Sequence, residues 1–292
     1  ADLAPLFCYP RAGPLAFVGA LAGRKPLGAA GACIVLLVAV AALLAPLLAP
    51  HDPIRIYFGR AFIPPGQEFL LGTDNVGRDL LSRIIWGSRI SLIVAIASVA
   101  TGATVGAFVG LASAHFGGAF DMLVQRLIDS LMAFPTLVLG IAIVGILGPS
   151  LPNVVAAIAI VLLPQAARVI RSAALVAKGN VYIEAARAIG ASNLRIMLVH
   201  LLPQCVAPFI VIATAEMGWA IMVEASLSFL GVGIPPPEPS WGGMLAGAAR
   251  RYAETAPWIG IFPGVAISMT VFGFNYLGDA LRDVLDPRLR GQ

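Results

Sequence analysis

The chain has 292 residues, of which 59% are hydrophobic and only 12% are charged. A soluble globular domain has about 25% charged residues, so this composition excludes a disordered, acidic or nucleic-acid-binding protein and indicates a membrane protein. The net charge of +4 requires no polyanionic partner, because arginines retained on the cytoplasmic side of a membrane account for it. The three cysteines (Cys8, Cys33 and Cys205) lack metal-ligand spacing and are predicted to be inert thiols.

Apolar runs long enough to cross a bilayer recur along the chain. A span needs about 20 mostly apolar residues. These runs lack the alternation of barrel strands, so an all-α membrane protein with six transmembrane helices is predicted. The predicted spans are 27–50, 90–114, 132–148, 153–167 (with an amphipathic extension through Arg168 and Arg171), 206–230 and 258–278.

These spans predict both the organisation and the orientation of the chain. With the N-terminus placed in the cytoplasm, the cytoplasmic segments hold 12 of the 19 Lys and Arg residues and the external segments hold 7. This bias favours both termini inside. The predicted parts are a cytoplasmic N-terminal segment (1–26), a first transmembrane helix (27–50), an external loop with an interfacial helix (51–89), a five-helix core (90–280) that includes a cytoplasmic loop (177–205), and a cytoplasmic tail (281–292).

The external segment 70–89 reads LLGTDNVGRDLLSRIIWGSR. Thr73 or Asp74 is predicted to cap a helix. The amphipathic stretch that follows predicts an interfacial helix leading into the second span, with the Arg83 and Arg89 side chains reaching the membrane surface.

Residues 121–135, DMLVQRLIDSLMAFP, are predicted to form an amphipathic helix that enters the third span. Residues 231–245, GVGIPPPEPSWGGML, contain four prolines within five positions, which predicts a stiff, extended external loop. Such a loop is either a surface on which a binding protein presses or a plain connector between spans.

The most informative segment is 184–203, EAARAIGASNLRIMLVHLLP. Its charged side chains each cost several kcal/mol in lipid, so it is predicted to be a loop between spans. Asn180 is predicted to cap a helix that begins near Val181, and Gly190 to end that helix with a positive φ.

A second short helix is predicted to begin at Ser192 or Asn193 and to end at Pro203. The two helices would form a compact polar elbow that fits a groove on a partner, with Glu184 and Arg187 offering charged contacts. The alternative is a solvated helical hairpin with no partner.

Polar groups inside the predicted spans mark candidate pathway residues. Glu216 and Glu224 lie in the fifth span, eight residues apart and thus about 80° apart around a helix, and Asn275 lies in the sixth. They are predicted to line a translocation path; the alternative is that neighbouring helices satisfy them.

Motifs for catalysis are missing from the sequence. It contains no G-x-x-x-x-G-K-[ST] phosphate-binding loop, no H-E-x-x-H and no C-x-x-C pair. We therefore expect neither an ATP site, nor a metal site, nor catalytic residues in this chain.

Three segments carry a resemblance to a known family. The Glu-Ala-Ala loop with its glycine and terminal Leu-Pro resembles the cytoplasmic "EAA" loop of ABC importer permeases. LGTDNVGRDLLSR and SFLGVGIPPPEPSWG resemble the C-type permease subunit of dipeptide, oligopeptide and nickel importers. The resemblance covers about residues 51–290.

This resemblance implies a type I ABC importer permease fold in the bacterial cytoplasmic membrane, working by alternating access. The implied partners are a homologous second permease, two ATP-binding subunits that hold the ATP and Mg, an external substrate-binding protein and the lipid bilayer, with no nucleic acid. The residues implied in coupling to the ATPase are Glu184, Ala185, Ala186, Arg187, Gly190, Ala191, Leu202 and Pro203.

Two other functions stay open at this point. A secondary transporter or channel working alone would be expected to show repeated halves or broken helices with charged midplane residues. An intramembrane hydrolase would need a nucleophile and base brought together from distant positions. The substrate also stays open among peptides, nickel complexes, glutathione and opine-like sugars.

Overall fold

The structure is a computed structural model that describes residues 26–246 and 251–285. Within these ranges the chain is helical and forms no named strand. The helices are α1 Pro26–Leu43, α2 Ala45–Leu48, α3 Leu80–Phe116, α4 Gly118–Met132, α5 Thr136–Leu147, α6 Leu151–Lys178, α7 Val181–Ala188, α8 Asn193–Phe229, α9 Trp241–Met244 and α10 Trp258–Leu285. Cys8 and the predicted N-terminal segment fall almost entirely outside the described residues, as does most of the predicted tail.

Five of these helices, α1, α3, α6, α8 and α10, are long and apolar enough to cross a membrane. The helices α4 and α5 pass the same test only as a pair, and they are bent by 90° at the break between them. The described residues thus provide five candidate spans, or six if the bent pair is one span. The predicted all-helical membrane fold is confirmed.

The helix predicted to lead into the second span and the span predicted at 90–114 are continuous in the structure. One unbroken helix, α3, runs from Leu80 to Phe116 over 37 residues. Its N-cap is Asp79, whose carboxylate accepts a hydrogen bond of 2.9 Å from the amide three residues later. Asp79 therefore takes the capping role that the sequence assigned to Thr73 or Asp74.

Two other predicted spans have different bounds in the structure. The third span, predicted at 132–148, is the 12-residue helix α5, and the amphipathic helix before it, α4, runs in a different direction. The first span ends at Leu43 rather than at residue 50. Pro46 follows in the first turn of α2, and a proline there cannot donate the backbone hydrogen bond that would continue α1.

A close helix contact joins α3 to α6 through a stripe of glycines. These glycines recur every four residues, the small-residue spacing that lets membrane helices approach backbone to backbone. A Cβ atom on any of them would fall 2.2–2.4 Å from a carbonyl oxygen of α6, which no side chain tolerates. The pairs are Gly102 with Ala159, Gly106 with Leu163, and Gly110 with Ala167.

One end of the bundle is formed by residues 51–79 and 231–245, and we call it the proline-loop end. The prediction that Arg83 reaches the membrane surface is wrong, because this residue is 5% exposed there. Its guanidinium donates to the Pro53 carbonyl at 3.0 Å and lies 3.7 Å from the Asp74 carboxylate. The loop 51–79 is therefore fixed to the first turn of α3 by a buried polar network.

The proline-rich loop is anchored at this same end. Trp241 is 2% exposed, and its indole Nε1 donates to the Ile84 carbonyl of α3 at 2.9 Å. Ser240 caps α9 by accepting from Gly243 N at 3.1 Å. The predicted stiff loop thus ends in a helix turn packed on the start of α3.

The opposite end, which we call the elbow end, contains residues 178–193. The first residue of α1 and the last of α10 also lie here, since Gly28 packs against Ala280 as the two helices run antiparallel. Both ends of the described chain are therefore on the side of the elbow.

The glycine stripe generates a stability prediction. Gly106→Ala is expected to destabilise the protein by about 1–3 kcal/mol, because the added methyl forces α3 away from α6. The matched control is Gly264→Ala in α10, where a Cβ meets nothing within 4 Å. Alanine is the better helix former there, so we expect a neutral effect or a gain of up to about 1 kcal/mol. Thermal unfolding of the purified variants measures both, and equal stability of the two would contradict the packing described.

Candidate functional site

The first arm of the predicted elbow is α7, a helix of eight residues. Asn180 stands at its N-cap with an extended backbone, as predicted. Its side chain does not cap the helix, however, but donates from Nδ2 to the Ala177 carbonyl at 3.0 Å. Asn180 therefore closes the end of α6 rather than the start of α7.

The turn after α7 is a Schellman motif centred on Gly190. The Ala191 amide donates to the Ala186 carbonyl at 3.0 Å, and the Gly190 amide donates to the Arg187 carbonyl at 2.9 Å. Gly190 has φ +84°, a value that favours glycine because it has no Cβ. The predicted glycine turn is confirmed.

The second arm begins as predicted but does not end at Pro203. Ser192 caps it by accepting from the Arg195 amide at 3.3 Å. The helix then widens into a π-turn at Ile196–Leu201 and continues as an α-helix to Phe229. Pro203 lies in the first turn after the widening, where its missing N–H is tolerated, so the second arm and the fifth predicted span are one helix, α8.

One face of the elbow is packed on the bundle. Ile183 and Ala186 of α7 are buried, and Ile183 joins a cluster that includes Leu111 of α3, Ile170 of α6 and Ile196 of α8. The elbow is therefore held by an apolar core at the elbow end.

The other face of the elbow is open. The Glu184, Ala185 and Arg187 side chains are exposed, and neither charged residue forms an ion pair with a described residue. Three apolar side chains missed by sequence reasoning are exposed beside them: Val181 (79%), Ile189 (86%) and Leu194 (62%). The sequence pattern could have indicated Ile189, because an isoleucine next to a glycine turn in a polar loop cannot reach the core.

Polar contacts fix the base on which the elbow stands. Lys178 Nζ donates to the carbonyls of Ala114 and His115, at 2.8 and 2.9 Å, and so satisfies the last turn of α3. The Asp121 carboxylate accepts two hydrogen bonds from the Arg171 guanidinium, at 2.7 and 2.6 Å. These contacts join α3, α4 and α6 at the elbow end.

A cavity of about 370 Å³ lies between α6, α8 and the bend that joins α4 to α5. Each of its walls carries an irregular or polar feature: the 90° bend, a proline inside α6, and an acidic residue on α8. The lining residues that matter for its chemistry are Phe134, Thr136, Pro164, Gln165, Glu216 and Trp219.

The three predicted pathway residues do not converge. Glu216 lines the cavity. Glu224 is fully buried and accepts from the Ser228 hydroxyl at 2.8 Å, and it does not line the cavity. Asn275 is exposed on α10, with its amide oxygen near Gly218. Of the three residues, the structure therefore places only Glu216 at the cavity. That Glu224 and Asn275 line a translocation path stays a prediction.

The elbow and the cavity share two helices. The helix α6 lines the cavity at Pro164 and Gln165, and it ends at Lys178 just before the elbow. The helix α8 begins within the elbow and lines the cavity at Glu216. Any displacement of the elbow is thus carried by continuous helices into two walls of the cavity.

A Ser–His–Asp grouping at the proline-loop end lacks the geometry of a hydrolase triad. The Ser82 hydroxyl donates to the Asp79 carboxylate at 2.5 Å and accepts from the His51 amide at 3.0 Å. A triad needs the serine hydroxyl on the imidazole, but here the hydroxyl is engaged with the carboxylate and the backbone. This grouping is the cap of α3 and gives the hydrolase alternative no support.

Two parts of the chain match known families of transport proteins. Residues 102–291 match the family of binding-protein-dependent transport system inner membrane components. Residues 24–65 match the N-terminal transmembrane domain of oligopeptide transport permease C. The two matches together cover most of the chain.

Individual relatives agree with this match. The chain is 45% identical to the di/tripeptide transport system permease protein DppC of Pseudomonas aeruginosa, over 89% of this chain and 88% of that protein. It is 41% identical to the dipeptide transport system permease protein DppC of Haemophilus influenzae, over 89% and 90% of the two chains. It is 43% identical to the glutathione transport system permease protein GsiD of Pectobacterium atrosepticum, over 90% and 87%.

The fold also resembles a solved structure. A chain of the MetNI methionine ABC transporter, in inward-facing conformations, matches with a TM-score of 0.58 and 19% identity, over 70% of this chain and 96% of that chain. At this identity the likeness concerns the fold alone. From the family matches and the relatives together, the chain belongs to the binding-protein-dependent transport system inner membrane components, as a non-catalytic permease subunit of the oligopeptide permease C type.

Proposed function

We propose that this chain forms half of the translocation path for peptides or similar small solutes, which an external binding protein delivers. The relatives named for peptide and glutathione transport support this substrate class. The observation that carries the proposal is structural: α6 and α8 both line the cavity and both adjoin the elbow. A homologous second permease supplies the other half of the path.

The elbow is the contact with the ATPase in this proposal. Its open face combines the charged Glu184 and Arg187 with the apolar Val181, Ile189 and Leu194, a mixture that suits a groove on a protein partner. Two ATP-binding subunits serve the complex and hold the ATP and Mg, since this chain has no phosphate-binding loop.

The mechanism follows from differential contact. The transporter alternates between two access states. ATP binding shifts the balance between them only by as much as the ATPase binds the elbow more tightly in one state than in the other. A shift of the elbow moves α8 relative to α6, because the Schellman turn fixes α7 to α8 whereas the glycine stripe fixes α6 to α3. The cavity between them then opens toward the binding protein or toward the cytoplasm in turn.

The proposed orientation puts the elbow end in the cytoplasm of a bacterium and the proline-loop end outside. In a cysteine-free background, Leu194→Cys should react with a membrane-impermeant thiol reagent only after the cells are opened and the ATP-binding subunits that cover it are stripped from the membranes with urea. Glu238→Cys, exposed in the proline-rich loop, should react in intact cells. The charge bias of the sequence supports this direction. The reverse labelling pattern would overturn the orientation.

Gly190 generates a coupling prediction. A β-branched residue at φ +84° is strained, so Gly190→Val should cost roughly 1–2 kcal/mol locally and displace the open face of the elbow. We expect uptake to fall by about tenfold or more while the protein still inserts in the membrane. The control Gly190→Asn tolerates the left-handed conformation and should keep most of the transport. Full uptake by the valine variant at normal abundance would contradict the elbow as the coupling site.

Ile189 tests the apolar part of the docking face. Ile189→Asp places a charge in the proposed interface, and we expect the ATP-binding subunits to be lost when the permease is purified by affinity. Ile56→Asp is the matched control, since this isoleucine is also exposed (45%) but lies at the proline-loop end. Retention of the ATPase by the Ile189 variant would show that docking does not use this surface.

A further inference from the structure

The Glu216 carboxyl group is unusual among the buried polar groups of the described structure. The residue is 4% exposed, and neither carboxylate oxygen has a hydrogen-bond partner in the described part of the chain. Burying a carboxylate without a partner is costly, and in most proteins such a group is paired or hydrogen-bonded. Since Glu216 lines the cavity, a molecule within the cavity can supply the missing partner.

The remaining lining indicates the chemistry of that occupant. Of the described residues around the cavity, Glu216 is the one that ionises. The aromatic side chains of Phe134 and Trp219 line the same cavity and are 56% and 44% exposed, and the Gln165 amide supplies a further acceptor. A carboxylate forms charge-assisted hydrogen bonds with a cation, and aromatic faces attract a cation as well.

A metal ion does not fit this site. Calcium takes six to eight oxygen ligands and magnesium an octahedral set, whereas the side chains of this lining offer one carboxylate, one amide and one hydroxyl. The described residues contain no group of three or more His, Cys, Asp or Glu side chains that could hold a metal. The cavity volume of about 370 Å³ is instead within the size range of small-molecule sites.

We propose that Glu216 receives the primary ammonium group of the substrate, so that the cavity binds the amino terminus of a peptide in passage. This inference rests on the proposed function and adds to it the group that the membrane-embedded path recognises. The ammonium donates to the carboxylate and to the Gln165 amide oxygen, while Trp219 and Phe134 present their ring faces. A substrate whose amine is blocked lacks this contact.

The test compares two peptides on the complete transporter in nanodiscs, with the binding protein omitted so that its own selectivity plays no part. Saturation-transfer NMR measures the dissociation constants of alanyl-alanine and N-acetyl-alanyl-alanine. The wild type should bind the free amine at least about tenfold more tightly, as expected for a hydrogen-bonded charge pair. In Glu216→Gln, which keeps the shape of the side chain, the preference should vanish. The control Glu254→Gln, an exposed carboxylate at the proline-loop end, should keep it.

Three results would overturn the inference: no preference in the wild type, no binding of either peptide, or a preference that survives Glu216→Gln. The last would mean that another group, such as one on the second permease, binds the ammonium of the substrate. ATP-driven uptake of alanyl-alanine or glutathione by wild-type proteoliposomes with the binding protein is measured in parallel. Uptake without an ammonium preference refutes this inference alone, whereas the absence of ATP-driven uptake contradicts the proposed function.

Discussion

Three glycines bring the backbone of α3 against carbonyl oxygens of α6, and much of the described architecture depends on that contact. In lipid no hydrophobic effect drives helices together, so close packing has to come from small residues and van der Waals contact. The contact fixes α6 to α3, a span of 37 residues. At the elbow end, the Lys178 ammonium group adds polar contacts to the last carbonyls of α3. The helix that leads into the elbow is thereby part of a rigid unit.

The second helix of the elbow, α8, is held differently from α6, so the two helices that line the cavity differ in how firmly they are fixed. Its start is widened by a π-turn, and Pro203 and Pro208 follow within two turns. Widened turns and prolines weaken the regular hydrogen-bond ladder of a helix. The cavity therefore has one wall, α6, tied firmly to α3 and a second wall, α8, whose connection to the elbow is irregular. These irregular turns lie between the elbow and the cavity-lining part of α8, so α8 is the wall better able to shift relative to α6.

Local chemistry made some features predictable and long-range packing hid others. The Gly190 turn and the Ser192 cap depend on residues within five positions of each other, so the sequence pattern was sufficient. Arg83 was predicted at the membrane surface because its buried partner, the Pro53 carbonyl, is 30 residues away. Glu216 was predicted only as one of three candidate pathway residues. Tertiary packing decides which face of α8 meets the bend after α4, and the sequence pattern does not reveal that face.

The exposed apolar side chains of the elbow have a consequence for how the cell makes this subunit. Val181, Ile189 and Leu194 present an apolar surface at one end of the molecule, which in the proposed complex is covered by an ATP-binding subunit. Such surfaces promote self-association and are recognised by chaperones and proteases. A copy synthesised in excess of its ATPase is therefore expected to be short-lived. Its degradation would then help to balance the subunits, in addition to the rates at which each chain is translated.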